Sequence, residues 1–271
     1  MFGKLLKHEL KHTARYHFAI ILVSVIATVF MGVSLIFESE ALMSMAMFPL
    51  ILVAAAVVIV SLVSIIKNFY ETIFSRQGYL TMTLPVKGSQ LLISKVLISF
   101  FWIIVSYIAA FLPFVFVLLH FKKQLDADNM TDQLVQEIMS YLPSTGSIVL
   151  VVIFFVVTSL ISILSYVSYV YFSVTIANTR LLGKHPKLFG GLIFLGVSIL
   201  TGKISDLTLK IAPLSFAIGE EKAFFTFKDV WELEGAIINT FDVNSYIVEA
   251  VVAVALLLVT GYFIENKINI K

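Results

Sequence analysis

Between Glu40 and Lys67, and again between Glu137 and Arg180, the chain carries no charged side chain. An uninterrupted apolar run of about 20 residues, coiled as a helix, matches the roughly 30 Å hydrocarbon layer of a bilayer. In lipid every backbone N–H and C=O must find its partner inside the protein, so such runs cross as helices. Composition agrees: 59% of the 271 residues are hydrophobic and only 13% are charged, and the mean hydropathy is +1.00. Soluble domains carry about twice that share of charge. There is no cysteine, which excludes disulfides and thiolate metal or nucleophile sites. The expected fold is all-α, a polytopic membrane protein with six transmembrane helices.

The spans are expected at residues 16–37, 41–66, 91–119, 147–177, 188–202 and 246–264, with Pro113 a kink point in the third. The fifth is short for the hydrocarbon layer, and Gly190, Gly191, Gly196 and Gly202 suggest close packing or a partly re-entrant path. Ahead of the first span, Lys4, Lys7, Lys11 and Arg15 alternate with Phe2, Leu5, Leu6 and Leu10. That spacing predicts a basic amphipathic helix over residues 1–15, lying on an anionic membrane surface. The apolar run after it is too long for a signal peptide and lacks a convincing small-residue cleavage pattern. Residues 1–15, 67–95, 177–187 and 265–271 hold 13 of the 19 Lys and Arg. The excess of basic residues marks the cytoplasmic side, so both termini are expected inside and the segments 120–146 and 203–245 outside.

Residues 67–95, KNFYETIFSRQGYLTMTLPVKGSQLLISK, are no ordinary loop. Residues 68–77 read as one short helix, with Phe69, Tyr70, Ile73 and Phe74 on one side. Gly78 is placed to stop it. Leu80, Met82 and Leu84 then alternate with Thr81 and Thr83 up to Pro85, and Ser89 is a candidate cap for the next helix. A short charged amphipathic helix at the membrane surface is suited to docking a partner protein. On the outer side, Leu134, Val135, Ile138, Met139 and Leu142 have helical spacing. Residues 206–219 and 223–231 are too apolar for free loops, and predict either a re-entrant or interfacial hairpin or a folded outer cap.

His8-Glu9-Leu10-Lys11-His12 matches HExxH, in which two histidines one turn apart bind zinc and the glutamate activates water. Here the helix is short and strongly basic, and nearby cations oppose a bound dication. Residues 196–203, GVSILTGK, miss the phosphate-binding loop by one residue in spacing and by Ile204 after the lysine. Asn129-Met130-Thr131 is a formal glycosylation sequon in an outer segment. Ser162, Ser165, Tyr166, Tyr169 and Ser173 share one face of the fourth span, as a translocation path or as a packing seam between helices. Glu249 lies one turn inside the sixth span, near enough to the outer interface to reach water.

The opening KLLKHELKHTARYHF resembles the N-terminal elbow helix of bacterial ABC transporter permeases of the type 2 export class. Gly78 to Val86 and Gln90 to Lys95 resemble the first cytoplasmic loop of a Gram-positive subgroup, in which a GYLT-x-TLPV segment precedes Gln-Leu-Leu and a lysine. The resemblance extends over the six-span plan. It implies a permease subunit in the plasma membrane that pairs with itself or a sister chain and docks separate ATPase subunits. The loop of residues 67–90 would be the coupling helix, with Phe69, Tyr70, Glu71, Phe74, Arg76 and Tyr79 contacting the ATPase. ATP and Mg would be held by that partner, with no cofactor, metal or catalytic residue in this chain and no nucleic acid. Such systems export peptides, antibiotics or lipids. Two alternatives stand beside it: a non-transporting membrane scaffold or sensor component, and an HExxH zinc protease.

Overall fold

A computed structural model describes residues 2–37, 40–75, 78, 88–127, 145–179, 185–219, 223–227 and 237–266. Among these, six long helices dominate: α1 (Phe2–Ile36), α2 (Glu40–Ile73), α3 (Gly88–Ala127), α4 (Thr145–Ala177), α5 (Pro186–Ile211) and α6 (Asn244–Asn266). Each contains a stretch long and apolar enough to cross a membrane. Between α5 and α6 lie three strands, β1 (Ser215–Gly219), β2 (Ala223–Thr226) and β3 (Ile237–Asp242). The fold is therefore mostly helical but not all-α.

The helices run through several expected boundaries. Residues 2–15 do not form a separate element; they continue without a break into the first apolar run as α1. Residues 68–73 likewise extend α2, so the short separate helix expected at 68–77 is the end of the second long helix. Straight-chain and aromatic residues pass through both junctions with no proline or glycine to interrupt the hydrogen-bond ladder. A side chain at Gly78 would collide with the carbonyl oxygen of Ile73, so only glycine fits that close approach just beyond the helix. α5 begins with Pro186 at its first turn, where the missing N–H costs nothing. It continues to Ile211, well past the expected end at 202, because Lys203, Asp206 and Lys210 lie on its exposed side, with Lys203 and Asp206 paired at 3.8 Å. The short or re-entrant fifth span is thereby corrected to a full-length helix. The helix expected near residues 130–142 and the sequon at Asn129 lie outside the described residues.

The chain divides into two compact units, Met1–Thr131 with Ile264–Lys271, and Asp132–Phe263. In the first, α1 packs along both α2 and α3. Ala27, Val53, Val57 and Ala110 form an apolar knot between the three. α1 buries Glu9, Thr13, His17, Ser24, Met31 and Ser34 and exposes Phe18, Leu22, Val25, Ile26, Val29 and Phe30. Polar residues inside and large apolar ones outside invert the pattern of a soluble bundle, as lipid surroundings require. At the base of α3 the Ser89 backbone N–H donates to the Glu265 carboxylate at 3.0 Å.

In the second unit, α4 packs against α5, and the antiparallel sheet has the order β2-β1-β3. The strand sequences SFAIG, AFFT and IINTFD are rich in aromatic and β-branched residues that favour a pleated surface. Phe216 of the central strand stacks on Phe154 of α4 with centroids 4.2 Å apart. Phe225, Phe241 and Tyr246 crowd edge-on or tilted around the same Phe154 ring. The Ala223 N–H donates to Ser147 Oγ at 3.1 Å, fixing β2 to the first turn of α4. Asp242 accepts the N–H groups of Asn244 (2.8 Å) and Ser245 (3.3 Å), satisfying orphan donors at the start of α6. Where residues 206–219 and 223–231 are described, α5 continues to 211 and the sheet that follows packs on α4.

Candidate functional site

The polar side chains of the first unit are not spread at random. On α1, Glu9, Thr13 and His17 recur every four residues, the spacing of one helical face. On α2, Ser61, Ser64 and Asn68 keep the same stripe, and on α3 so do Lys95, Ser99, Trp102 and Ser106. All of these are buried. The three stripes meet, and cross-helix bonds join them at three levels.

At the first level, the Lys95 ammonium donates to Glu9 Oε1 at 2.8 Å, with both side chains enclosed. A charge-assisted bond of this length is among the stronger polar contacts available. Two buried charges also cost desolvation, so the pair fixes geometry more surely than it adds net stability. Near it, His12 Nδ1 meets Asn68 Oδ1 at 3.1 Å, bonding α1 to the last turns of α2. At the third level, His17 Nδ1 and Ser106 Oγ are 2.9 Å apart, and His17 Nε2 and Ser64 Oγ 3.1 Å. The imidazole thus bridges α3 and α2, and it stacks on Trp102 with centroids 5.0 Å apart and planes 10° from parallel. In a neutral ring one nitrogen donates and the other accepts, so the Ser64–His17–Ser106 chain has a direction set by the tautomer.

In this arrangement two of the three HExxH side chains already have partners on other helices. Glu9 is committed to Lys95, while His8 is exposed and His12 bonds Asn68. Among the described residues no group of three or more His, Asp or Glu converges on a common point. Residues 8–12 are also not a wholly wet interfacial face, since Glu9 is 5% exposed. The basic residues Lys4, Lys7, Lys11 and Arg15 do remain exposed.

The residues assigned to docking divide. Tyr70 is 40% exposed and stacks with Phe74, centroids 6.2 Å apart. Glu71 is half-buried and pairs with Lys67 one turn earlier at 3.8 Å. Phe69 is fully enclosed, edge-on to Phe74, and so faces the bundle rather than a partner. Arg76 and Tyr79 lie outside the described residues.

The stripe on α4 belongs to the second unit. Ser162 Oγ donates to the Glu249 carboxylate of α6 at 3.2 Å, which gives that half-buried acid a partner inside its own unit. Ser165 and Ser173 close back on the carbonyls of Ile161 and Tyr169, the usual refuge of a hydroxyl in a membrane helix. Tyr166 sets its ring edge-on to Phe194 of α5, and Tyr169 is buried.

Sequence reasoning missed Lys95, His17, Ser64, Asn68, Ser106 and Trp102 as a group. The available signal was their three-to-four-residue spacing within runs that are otherwise apolar, where each polar residue needs a partner. Comparison with known proteins adds no relative: no protein-family model, no curated protein and no solved structure matches this chain.

Proposed function

We propose that this chain is the membrane-spanning permease subunit of an ATP-driven ABC exporter in a bacterial plasma membrane. It pairs with a second permease chain and docks separate ATPase subunits through residues 67–90, with both termini and that segment on the cytoplasmic side. What supports this is the anchoring around the segment that resembles the coupling loop. Its α2 foot is bonded to α1 through Asn68 and His12, and its α3 foot through Lys95 and Glu9. A push on the loop therefore has two rigid routes into the bundle, and packed elements of this kind move as units rather than deforming. ATP and Mg bind to the partner, whose closure supplies the push; this chain supplies the lever and the path. The cargo class that the resemblance implies is a peptide, an antibiotic or a lipid.

The test is purification of the chain from gently solubilised host membranes, comparing wild type with Tyr70→Asp/Phe74→Asp. The expected result is a co-purifying subunit that carries the phosphate-loop motif and hydrolyses ATP, present with wild type and lost with the variant. Both chains should elute as the same monodisperse species. Wild type that is folded and yields no such ATPase sinks the exporter reading.

A further inference from the structure

Several polar atoms buried in the first unit are left without a hydrogen bond among the described residues. Ser24, Ser61, Trp102 and Glu9 are each less than a tenth exposed, yet Ser24 Oγ, Ser61 Oγ, Trp102 Nε1 and Glu9 Oε2 have no hydrogen-bond partner among the described residues. A serine or threonine in an apolar helix ordinarily closes onto the carbonyl three or four residues back. Thr13, Thr28, Ser34 and Ser94 of the same bundle do so. Ser24 and Ser61 do not.

All four atoms lie along one seam. Ser61 is one turn from Ser64 on the buried stripe of α2, and Trp102 is one turn from Ser106 on that of α3. Ser64 and Ser106 are the two partners of His17, against whose ring Trp102 stacks. Ser24 continues the His17 face of α1 by two turns in one direction, and Glu9 by two turns in the other. We propose that this seam is a binding site for water: a row of bound molecules that satisfies Ser24, Ser61, Trp102 and Glu9 and joins the Ser64–His17–Ser106 chain.

The chemistry of the donor set selects the ligand. An indole N–H and the Lys95 ammonium beside Glu9 repel a metal ion, and the Glu9 carboxylate repels an anion. The ligand must both donate, to Glu9 Oε2, and accept, from Trp102 Nε1, and it must fit between closely packed helices. Water meets all of these conditions, needing two to four polar neighbours. The inference stands independently of the exporter reading.

The experiment is radiolytic hydroxyl-radical footprinting of the full chain in lipid nanodiscs, read by mass spectrometry. Radicals generated from bound water oxidise side chains beside it. After correction for intrinsic ring reactivity and exposure, Trp102 is expected to oxidise several-fold faster than Phe216, which is also buried but is packed among aromatic rings. In Ser24→Ala/Ser61→Ala the Trp102 rate is expected to fall several-fold, with the melting temperature unchanged or lower; either single variant serves if the double fails to fold. Trp102 protected to the level of Phe216 overturns the proposal. So does a Trp102 rate insensitive to the alanines, or a clear rise in their melting temperature, which would mean that the two hydroxyls are dry and merely unsatisfied.

Discussion

Glu9 and Lys95 show how far a single residue can be read without a fold. Both charges were visible, one inside an HExxH match and the other at the end of a loop, but their 86-residue separation hid the pairing. The motif drew attention to zinc chemistry, when the relevant fact was that an isolated acid on an inward helix face needs a cation. Breaking such a buried pair strands a charge and costs about 3–5 kcal/mol, whereas replacing both partners with uncharged residues of similar volume is often neutral. Lys95→Met is therefore expected to lower the melting temperature sharply in detergent, and Glu9→Gln/Lys95→Met to recover most of the loss. If the double variant melts no higher than the single, the pair is not what holds α1 to α3. The docking residues show the reverse limit: Tyr70 and Phe69 are neighbours with similar sequence signals, and only packing separates an exposed ring from an enclosed one.

At the scale of elements, the six long helices were legible because apolar length is a direct physical requirement of lipid. Their ends were less so. α5 was cut short at Gly202 because three charged residues follow it, and those charges sit on an exposed side without ending the helix. The sheet was missed because the apolar pieces of residues 203–245 are short and interrupted by charged residues, and strand pairing is set by partners distant in sequence. α4 has 33 residues, about 50 Å at 1.5 Å per residue, against a hydrocarbon layer of about 30 Å. An untilted helix of that length would project about 13 residues beyond the layer, and the sheet packs against α4 at the Thr145 end, between Ser147 and Phe155. Phe216→Ala removes the ring at the centre of that contact and is expected to cost about 3–5 kcal/mol. Phe225→Ala, with its ring 53% exposed, should cost much less. Deuterium exchange of the β1 amides reads the difference, and equal protection in both variants would show that the aromatic cluster does not hold the sheet.

For the whole molecule, the charge asymmetry makes one orientation preferable, and the lack of native cysteine makes it easy to examine. Lys4 and Phe227 are both exposed positions at which a single cysteine can be placed. Phe227→Cys is expected to react with a membrane-impermeant maleimide on intact cells, and Lys4→Cys only after the membrane is opened. The opposite pattern would reverse the proposed topology and remove the docking segment from the compartment that holds ATP. The unbroken path of α1 from Phe2 to Ile36 bears on how such a molecule would signal. A rod without a joint carries torque. A turn of α1 about its axis at His17 is carried along one continuous helix to Lys4, about 20 Å away, so a spin label near the N-terminus is the place to record a movement of the seam.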